Sequence, residues 1–200
     1  MTEVSTGAPP LVVLLRHGDT EWSVAGRHTG RTDVPLLDSG RAAAQSLQPL
    51  LAGVRFAQVL SSPLSRARET AELAGLTVDG TDADLAEWDY GDYEGITTEQ
   101  IRERRLGWDL WTDGCPGGES ARDVAARCGR VLARIAGVDG PVALVAHGHL
   151  LRALAVRWCG LGPQTGGILH LDTATLSVLG WDRERPVVRR WNAHQAVVWP

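Results

Sequence analysis

The chain has 200 residues, of which 44% are hydrophobic and 22% charged, and its formal net charge is -4. That length suits a single domain with enough chain to bury a substantial core, and the balance is that of an ordinary globular protein. A small negative charge with no long run of either sign gives no electrostatic reason to expect nucleic acid or a membrane surface as partner, so any basic site has to be local.

All 20 basic residues counted are arginine, which keeps its charge at any working pH and offers a planar fork to phosphate or carboxylate. The 3 cysteines, Cys115, Cys128 and Cys159, lack metal-ligand spacing and read as the thiols of a reduced, cytoplasmic protein. Residues 1–10 read as a flexible lead into a single domain spanning 1–200. The apolar run that follows is too short for a signal h-region, and nothing approaches a membrane span.

Residues 11–15 are five aliphatic side chains running straight into Arg16, His17 and Gly18. A short apolar run of this kind predicts a strand buried on both faces, and its carboxyl end is where open α/β sheets bind ligands. Residues 21–37 form a long polar loop, a kind that is usually functional in compact domains. A helix follows to Gly53, capped by Asp38 or Ser39, with Pro49 marking an early end or a kink. Residues 56–60 predict a second strand, which breaks into Ser61-Ser62-Pro63. Pro63 suits the first position of a helix through Arg66 and Thr70 to about Ala74, with Gly75 as its stop. Residues 76–78 predict a short third strand.

Residues 79–118 are rich in glycine, acids and tryptophan, with one short helix expected at 97–105. This stretch reads as an excursion that covers the carboxyl ends of the strands. Residues 119–136 predict an amphipathic helix presenting Val124, Cys128, Val131, Leu132 and Ile135 on one side. Residues 142–146 are another apolar strand ending in His147-Gly148-His149, followed by a helix over 150–159. Two last strands, 174–181 and 187–191, are joined by a turn. Alternating strands and helices predict a three-layer α/β/α fold with a mostly parallel sheet and an antiparallel edge. Three strands ending in polar clusters bring two histidines and two arginines toward one point above the sheet.

Arg16-His17-Gly18-Asp19-Thr20, Ser61-Ser62-Pro63-Leu64 with Arg66, Ala67 and Thr70, then Glu87, then Ala146-His147-Gly148 together resemble the histidine phosphatase superfamily, the phosphoglycerate mutase-like fold. The motifs fall in the family's order and the resemblance runs from Leu11 to about Val188. More narrowly, the segments around Arg27, Glu87, Gly118 and His147 are similar to small actinobacterial phosphatases described as acid phosphatases, and to sugar-bisphosphatase members. The resemblance implies a small phosphate ester as partner, no metal and no cofactor, and it allows a homodimer. It implies that His17 is a nucleophile forming a phosphohistidine, that Arg16, Arg66 and His147 clamp phosphate oxygens, and that Glu87 is the general acid and then the base. Thr20, Ser23, Thr29, Gly30, Tyr90 and Gly148 are expected as substrate contacts, although many relatives have asparagine where Ser23 stands.

These residue types suit the chemistry. Phosphoryl transfer depends on positioning and on neutralising charge over the non-bridging oxygens, which arginine forks do with charge-assisted bonds. His17 must be neutral to attack while Glu87 must be protonated to assist departure, and with ordinary values of about 6.5 and 4.3 both conditions coexist best at mildly acidic pH. Asp89 and Glu94 are expected to raise Glu87 by proximity. His28 is expected as a surface histidine, His149 as a helix-start packing residue, Asp19 and Glu21 as loop charges orienting arginines, and His170 and His194 as structural. Trp88, Trp108 and Trp111 are expected to pack the excursion onto the sheet. A phosphoglycerate mutase is the competing enzyme, disfavoured by the short segment after Glu87 and the absence of lysine despite Arg102, Arg104 and Arg105. An inactive phosphate-binding module is disfavoured because the catalytic set is retained.

Overall fold

A computed structural model describes residues 10–194. Residues 1–9, most of the expected flexible lead, lie outside the described residues. The strands are β1 (Val12–Arg16), β2 (Gln58–Ser61), β3 (Gly80–Thr81), β4 (Val142–Ala146), β5 (Leu176–Asp182) and β6 (Arg185–Ala193). They form a sheet in the order β3-β2-β4-β1-β5-β6. β1 and β2 each pair in parallel with β4, and β3 pairs in parallel with β2, while β5 runs antiparallel to β1 and β6 to β5. The expected antiparallel edge is therefore the last hairpin.

Alternation along the strands divides the core in two. Val12 and Leu14 of β1 and Val142 and Leu144 of β4 face one apolar cluster, which includes Val124, Cys128, Val131 and Ile135 of α7 (Ala121–Ile135) and Leu150, Leu151 and Leu154 of α8 (Gly148–Trp158). Val13, Leu15, Ala143 and Val145 face the other, with Leu47, Leu50, Ala67 and Ala71. Those residues come from α3 (Gln48–Leu51), α4 (Ser65–Leu73) and the turn that follows α2 (Asp38–Gln45). Both faces of the sheet are covered, which is why β1 and β4 read as unbroken apolar runs.

Several boundaries differ from expectation. The helix over 38–53 is split into α2 and α3, with Pro49 in the first turn of α3, where a missing N–H costs nothing. Neither Asp38 nor Ser39 caps α2; Leu37 holds the cap position without a side-chain bond. The cap of α4 is likewise Leu64, so Pro63 precedes the helix, and Ser62 Oγ accepts the Leu64 amide instead. Residues 76–78 are not a strand; pairing falls on the two residues of β3. The excursion holds α5 (Thr98–Arg104), close to the expected helix, and also the four-residue α6 (Leu110–Asp113) and short 3-10 turns at Ala83–Leu85 and Gly91–Tyr93. Elements this short carry no period, and their stability comes from caps and tertiary contacts. α8 begins two residues earlier than expected, with His147 as its N-cap.

Two glycine contacts shape the carboxyl end of the sheet. A Cβ on Gly18 would sit 2.3 Å from the Gly40 carbonyl oxygen, and one on Gly40 would sit 2.2 Å from that of Asp19. The first turn of α2 therefore lies directly against the loop after β1, and Gly18→Ala would push them apart. Among the described residues, no helix is long and apolar enough to cross a membrane.

Candidate active site

β1 and β4 are neighbours, with Arg16 in register with Ala146. His17 and His147 therefore leave adjacent strands side by side, and their ring centroids lie 5.1 Å apart. The His17 ring is buried at 4% exposure. Its Nδ1 lies 2.7 Å from the Gly18 carbonyl oxygen; a carbonyl only accepts, so Nδ1 carries the proton and Nε2 keeps its lone pair. Burial first, then the charges of Arg66 and Arg16, push the His17 pKa well below its ordinary value, which keeps the ring neutral. The backbone is fixed from the other face, where Gly18 N donates to Thr70 Oγ1 at 3.1 Å and Thr70 Oγ1 donates to the Arg66 carbonyl at 2.7 Å.

Arg16, Arg66 and His147 surround that ring and share a feature. Arg16 Nε, Arg66 Nε and His147 Nδ1 are buried nitrogens without a hydrogen-bond partner in the protein. Buried polar groups are normally paired, so three such atoms converging on one ring mark a place for an acceptor. His147 Nε2 lies 2.7 Å from Ser62 Oγ. The same Ser62 hydroxyl accepts the Leu64 amide, and His147 Nδ1 is the ring nitrogen left unpartnered. Arg66 is fully buried, and its Nη atoms donate to the carbonyls of Thr32, Thr29 and Gly30. Burial lowers the pKa of both arginines from the ordinary value, with Glu87 opposing it in each case.

Glu87 comes from the excursion, yet its carboxylate closes the start of α8. Oε1 accepts from Trp88 N at 2.8 Å and Leu150 N at 2.9 Å, and Oε2 accepts from His149 N at 3.0 Å. Two of these donors are first-turn amides that a helix leaves unpaired, and a negative group suits the positive end of a helix. Arg127 of α7 holds the same stretch from behind. It forms a two-pronged pair with Glu119 at 2.7 and 2.8 Å and donates to the carbonyls of Asp84, Ala86 and Glu87. Asp89 and Glu94 have their own partners nearby. Asp89 pairs with Arg31 at 2.7 Å, and Glu94 accepts the amides of Gly30 and Thr32.

A cavity of about 210 Å³ opens onto these groups, lined by Arg16, His17, Glu87, Tyr90, Gly148 and His149 among others. Arg66 and His147 lie behind its surface. Ser23 and Thr29 also line it. Ser23 Oγ is engaged with Thr20, accepting its amide and donating to its carbonyl, and Thr29 Oγ1 donates to the Arg27 carbonyl. Thr20 and Gly30 do not line the cavity. The Thr20 hydroxyl caps α1 (Glu21–Val24) by accepting Ser23 N, and the Gly30 amide is held by Glu94. A Cβ on Gly148 would lie 3.2 Å from Arg16 Cζ, so the glycine lets the guanidinium pass over the helix start.

Some residues matter more than the sequence suggested. His28 is not a surface histidine: it is 7% exposed, its Nδ1 donates to the Ile96 carbonyl, and its ring stacks on His149 with centroids 6.2 Å apart. His149 lines the cavity, and its Nδ1 lies 2.6 Å from Tyr90 Oη. Burial pushes the Tyr90 hydroxyl well above its ordinary pKa, so it stays a donor. Arg152, one turn into α8, also lines the cavity, with its Nε and Nη2 on the Gly166 and Gly167 carbonyls and its Cζ 4.9 Å from the Trp111 ring centre. Asp19 accepts from Thr173 Oγ1, and its charge acts on Arg16. Trp88 is fully buried and its indole N–H donates to the Glu119 carbonyl, in keeping with packing. Among the described residues, no cluster of His, Cys, Asp or Glu could hold a metal ion.

Comparison with known proteins agrees with this geometry. The sequence profile of the histidine phosphatase superfamily (branch 1) matches residues 12–194. An acid phosphatase of Mycobacterium tuberculosis (strain ATCC 25618 / H37Rv) is 44% identical over 177 residues, covering 86% of each chain. A sedoheptulose 1,7-bisphosphatase of Saccharomyces cerevisiae is 35% identical, covering 78% of this chain and 69% of its own. The solved structure of an open-reading-frame product of Mycobacterium tuberculosis superposes with a TM-score of 0.88 at 40% identity, covering 92% of this chain and 97% of that one. A buried neutral histidine ringed by unpartnered N–H groups thus sits in a chain whose sequence and fold both match phosphatases, and the protein belongs to the histidine phosphatase superfamily.

Proposed function

We propose that this phosphatase hydrolyses small phosphate monoesters by way of a phosphohistidine on His17, without metal or cofactor and with an acidic pH optimum. The observation that carries the reading is the neutral His17 ring, its Nε2 lone pair left available, beside three buried nitrogens without a protein partner. His17 Nε2 attacks phosphorus while Arg16, Arg66 and His147 hold the non-bridging oxygens. The bond from phosphorus to the ester oxygen breaks, and Glu87 gives that oxygen a proton. Glu87 then takes a proton from the incoming water, which displaces His17 and releases inorganic phosphate. Tyr90, Gly148, Ser23 and Thr29 border the space for the ester, and residues 79–118 supply its cover within a single domain. The depressed pKa of His17 keeps the nucleophile neutral, and so competent, in acid; this supports the acidic optimum. Three free cysteines fit a cytoplasmic setting.

A second reading concerns substrates with two phosphates. Arg152 lines the cavity, burial lowers its pKa, and it forms no ion pair among the described residues. A half-buried arginine without a carboxylate partner favours a second anionic group on the ester, as on the substrate that the yeast relative's name specifies. Phosphate release should be measured across sugar phosphates, sugar bisphosphates, phosphoglycerates and nucleotides from about pH 4 to about pH 8. The expected result is hydrolysis that peaks in acid, with Arg152→Ala penalising bisphosphates more than monophosphates. Interconversion of phosphoglycerate isomers faster than phosphate release would overturn the hydrolase reading.

A further inference from the structure

The loop at 171–175 grips the end of β1, and its first residue, Leu171, also lines the cavity. Arg16 N donates to the Thr175 carbonyl at 3.1 Å, and Ala174 N donates to the His17 carbonyl at 3.0 Å. Arg16 Nη1 donates to the Leu171 carbonyl, and Thr173 Oγ1 donates to Asp19 Oδ1. The loop therefore fixes both the backbone of the two residues and the guanidinium of the first. It holds an unfavourable shape in doing so: Ala174 has φ 48°, in the left-handed region where a Cβ is crowded. Such a shape persists only when something outside it holds it.

That hold comes from the end of β6. Asp172 N donates to Asn192 Oδ1 at 2.8 Å, and Asn192 Nδ2 donates back to Asp172 Oδ2 at 2.7 Å. Asn192 is itself left-handed at φ 56°, a conformation asparagine tolerates better than most residues, at a break in the β5–β6 register. The bulge is what aims its amide at Asp172. His170 Nε2 lies 2.7 Å from Asp172 Oδ1, and His194 Nε2 lies 3.5 Å from Oδ2. The bonds from Asn192 and His170 keep the Asp172 carboxyl below its usual pKa.

We propose that the Asp172–Asn192 clasp is a positioning device for the phosphatase reaction: it holds loop 171–175 so that the Leu171 carbonyl fixes the Arg16 guanidinium beside His17. This rests on the reading of Arg16 and His17 as the phosphate site. With Nη1 tied to Leu171, the guanidinium is oriented before substrate arrives and its unpartnered Nε is left to meet phosphate. His170 and His194 add to the clasp, which gives these two histidines a role that the sequence motifs did not suggest.

Two substitutions test it, each compared with wild type in binding of inorganic phosphate and in kcat/KM on p-nitrophenyl phosphate, well below each variant's Tm. Asn192→Gly keeps the left-handed backbone without strain and removes only the amide. It should weaken phosphate binding and lower kcat/KM by about tenfold, the scale of a small misplacement of a catalytic group. Asn192→Asp sets a second carboxylate against Asp172. It should show the same loss at neutral pH and recover relative to Asn192→Gly toward about pH 5, where two adjacent carboxyls can share a proton. His170, His194 and Arg16 are the other ionisable groups near Asp172, and they are present in both variants alike, so the difference between the two isolates the carboxyl pair. Val188→Ala, elsewhere in β6, should lower Tm without changing phosphate affinity. The clasp is overturned if both Asn192 variants lower Tm yet bind and turn over like wild type at every pH, or if Val188→Ala weakens phosphate equally. If wild type binds no phosphate, the site reading fails and the clasp goes with it.

Discussion

The ends of β1 and β4 and the stretch around Glu87 face one cavity, but they are held there by different means. His17 and His147 are placed by backbone: adjacent parallel strands, the Gly18–Gly40 contact and the bond from Gly18 to Thr70. Glu87 is placed by side chains, through the Arg127–Glu119 pair behind it and through its own bonds to the start of α8. The proposed nucleophile thus sits at the end of a buried strand, while the proposed proton donor sits on a stretch with little regular structure. Substitutions should separate the two sides: those at strand ends touch every substrate, and those around Glu87 discriminate by leaving group.

The largest separation is expected from paired substitutions in the reacting groups. His17→Ala should abolish turnover of every ester, by about 10⁴-fold or more, as loss of a nucleophile does elsewhere. Glu87→Gln should cost about 10²- to 10⁴-fold on a sugar phosphate and far less on p-nitrophenyl phosphate, whose leaving group needs little protonation. Equal losses on both esters would remove Glu87 from that role. Arg127→Met acts one step back. Breaking a largely buried pair from one side costs about 3 kcal/mol of stability, and the variant should repeat the leaving-group dependence of Glu87→Gln in weaker form. Uniform loss across esters would mean that Arg127 supports the fold alone.

Trp88→Ala should destabilise by about 3–5 kcal/mol while lowering activity on small and aromatic esters in the same proportion. A change in their ratio would make Trp88 part of substrate selection. The smallest effect is expected from pH acting on the buried histidines. Burial first, with nearby cations adding to it, drives His17, His147 and His149 well below their ordinary pKa. The unfolded chain therefore takes up protons before the fold does, so stability is lost as pH falls below about 6.5. Tm should drop on acidification, and less so with phosphate present to offset Arg16 and Arg66. A Tm that rises in acid would contradict this.

The same contrast explains what could be read without coordinates. Strand ends were legible because β1 and β4 are buried on both faces, so an apolar run that stops at Arg16-His17 or at His147-Gly148 locates a boundary by composition alone. The excursion was not. α6 and the 3-10 turns are too short to show a period, and they owe their shape to contacts such as that of Gly91, where a Cβ would lie 2.2 Å from the Pro116 carbonyl oxygen. Thr20 and Gly30 look like phosphate contacts by residue type, but the Thr20 hydroxyl accepts Ser23 N and the Gly30 amide is held by Glu94, pairings that no spacing announces. His28 read as exposed because its neighbours are polar; its burial comes from Tyr90, Trp108 and His149, all distant in sequence. The Asp172–Asn192 pair depends on a register break in β6, and two strand-forming segments give no sign of one.

The central claim is that His17 carries the phosphoryl group between substrate and water. The direct measurement is rapid denaturation of the enzyme during turnover of a labelled phosphate ester, followed by peptide mapping. The account predicts an acid-labile, base-stable phosphate on the peptide containing His17, absent from His17→Ala. Turnover without such a species, or label on another residue, would contradict it.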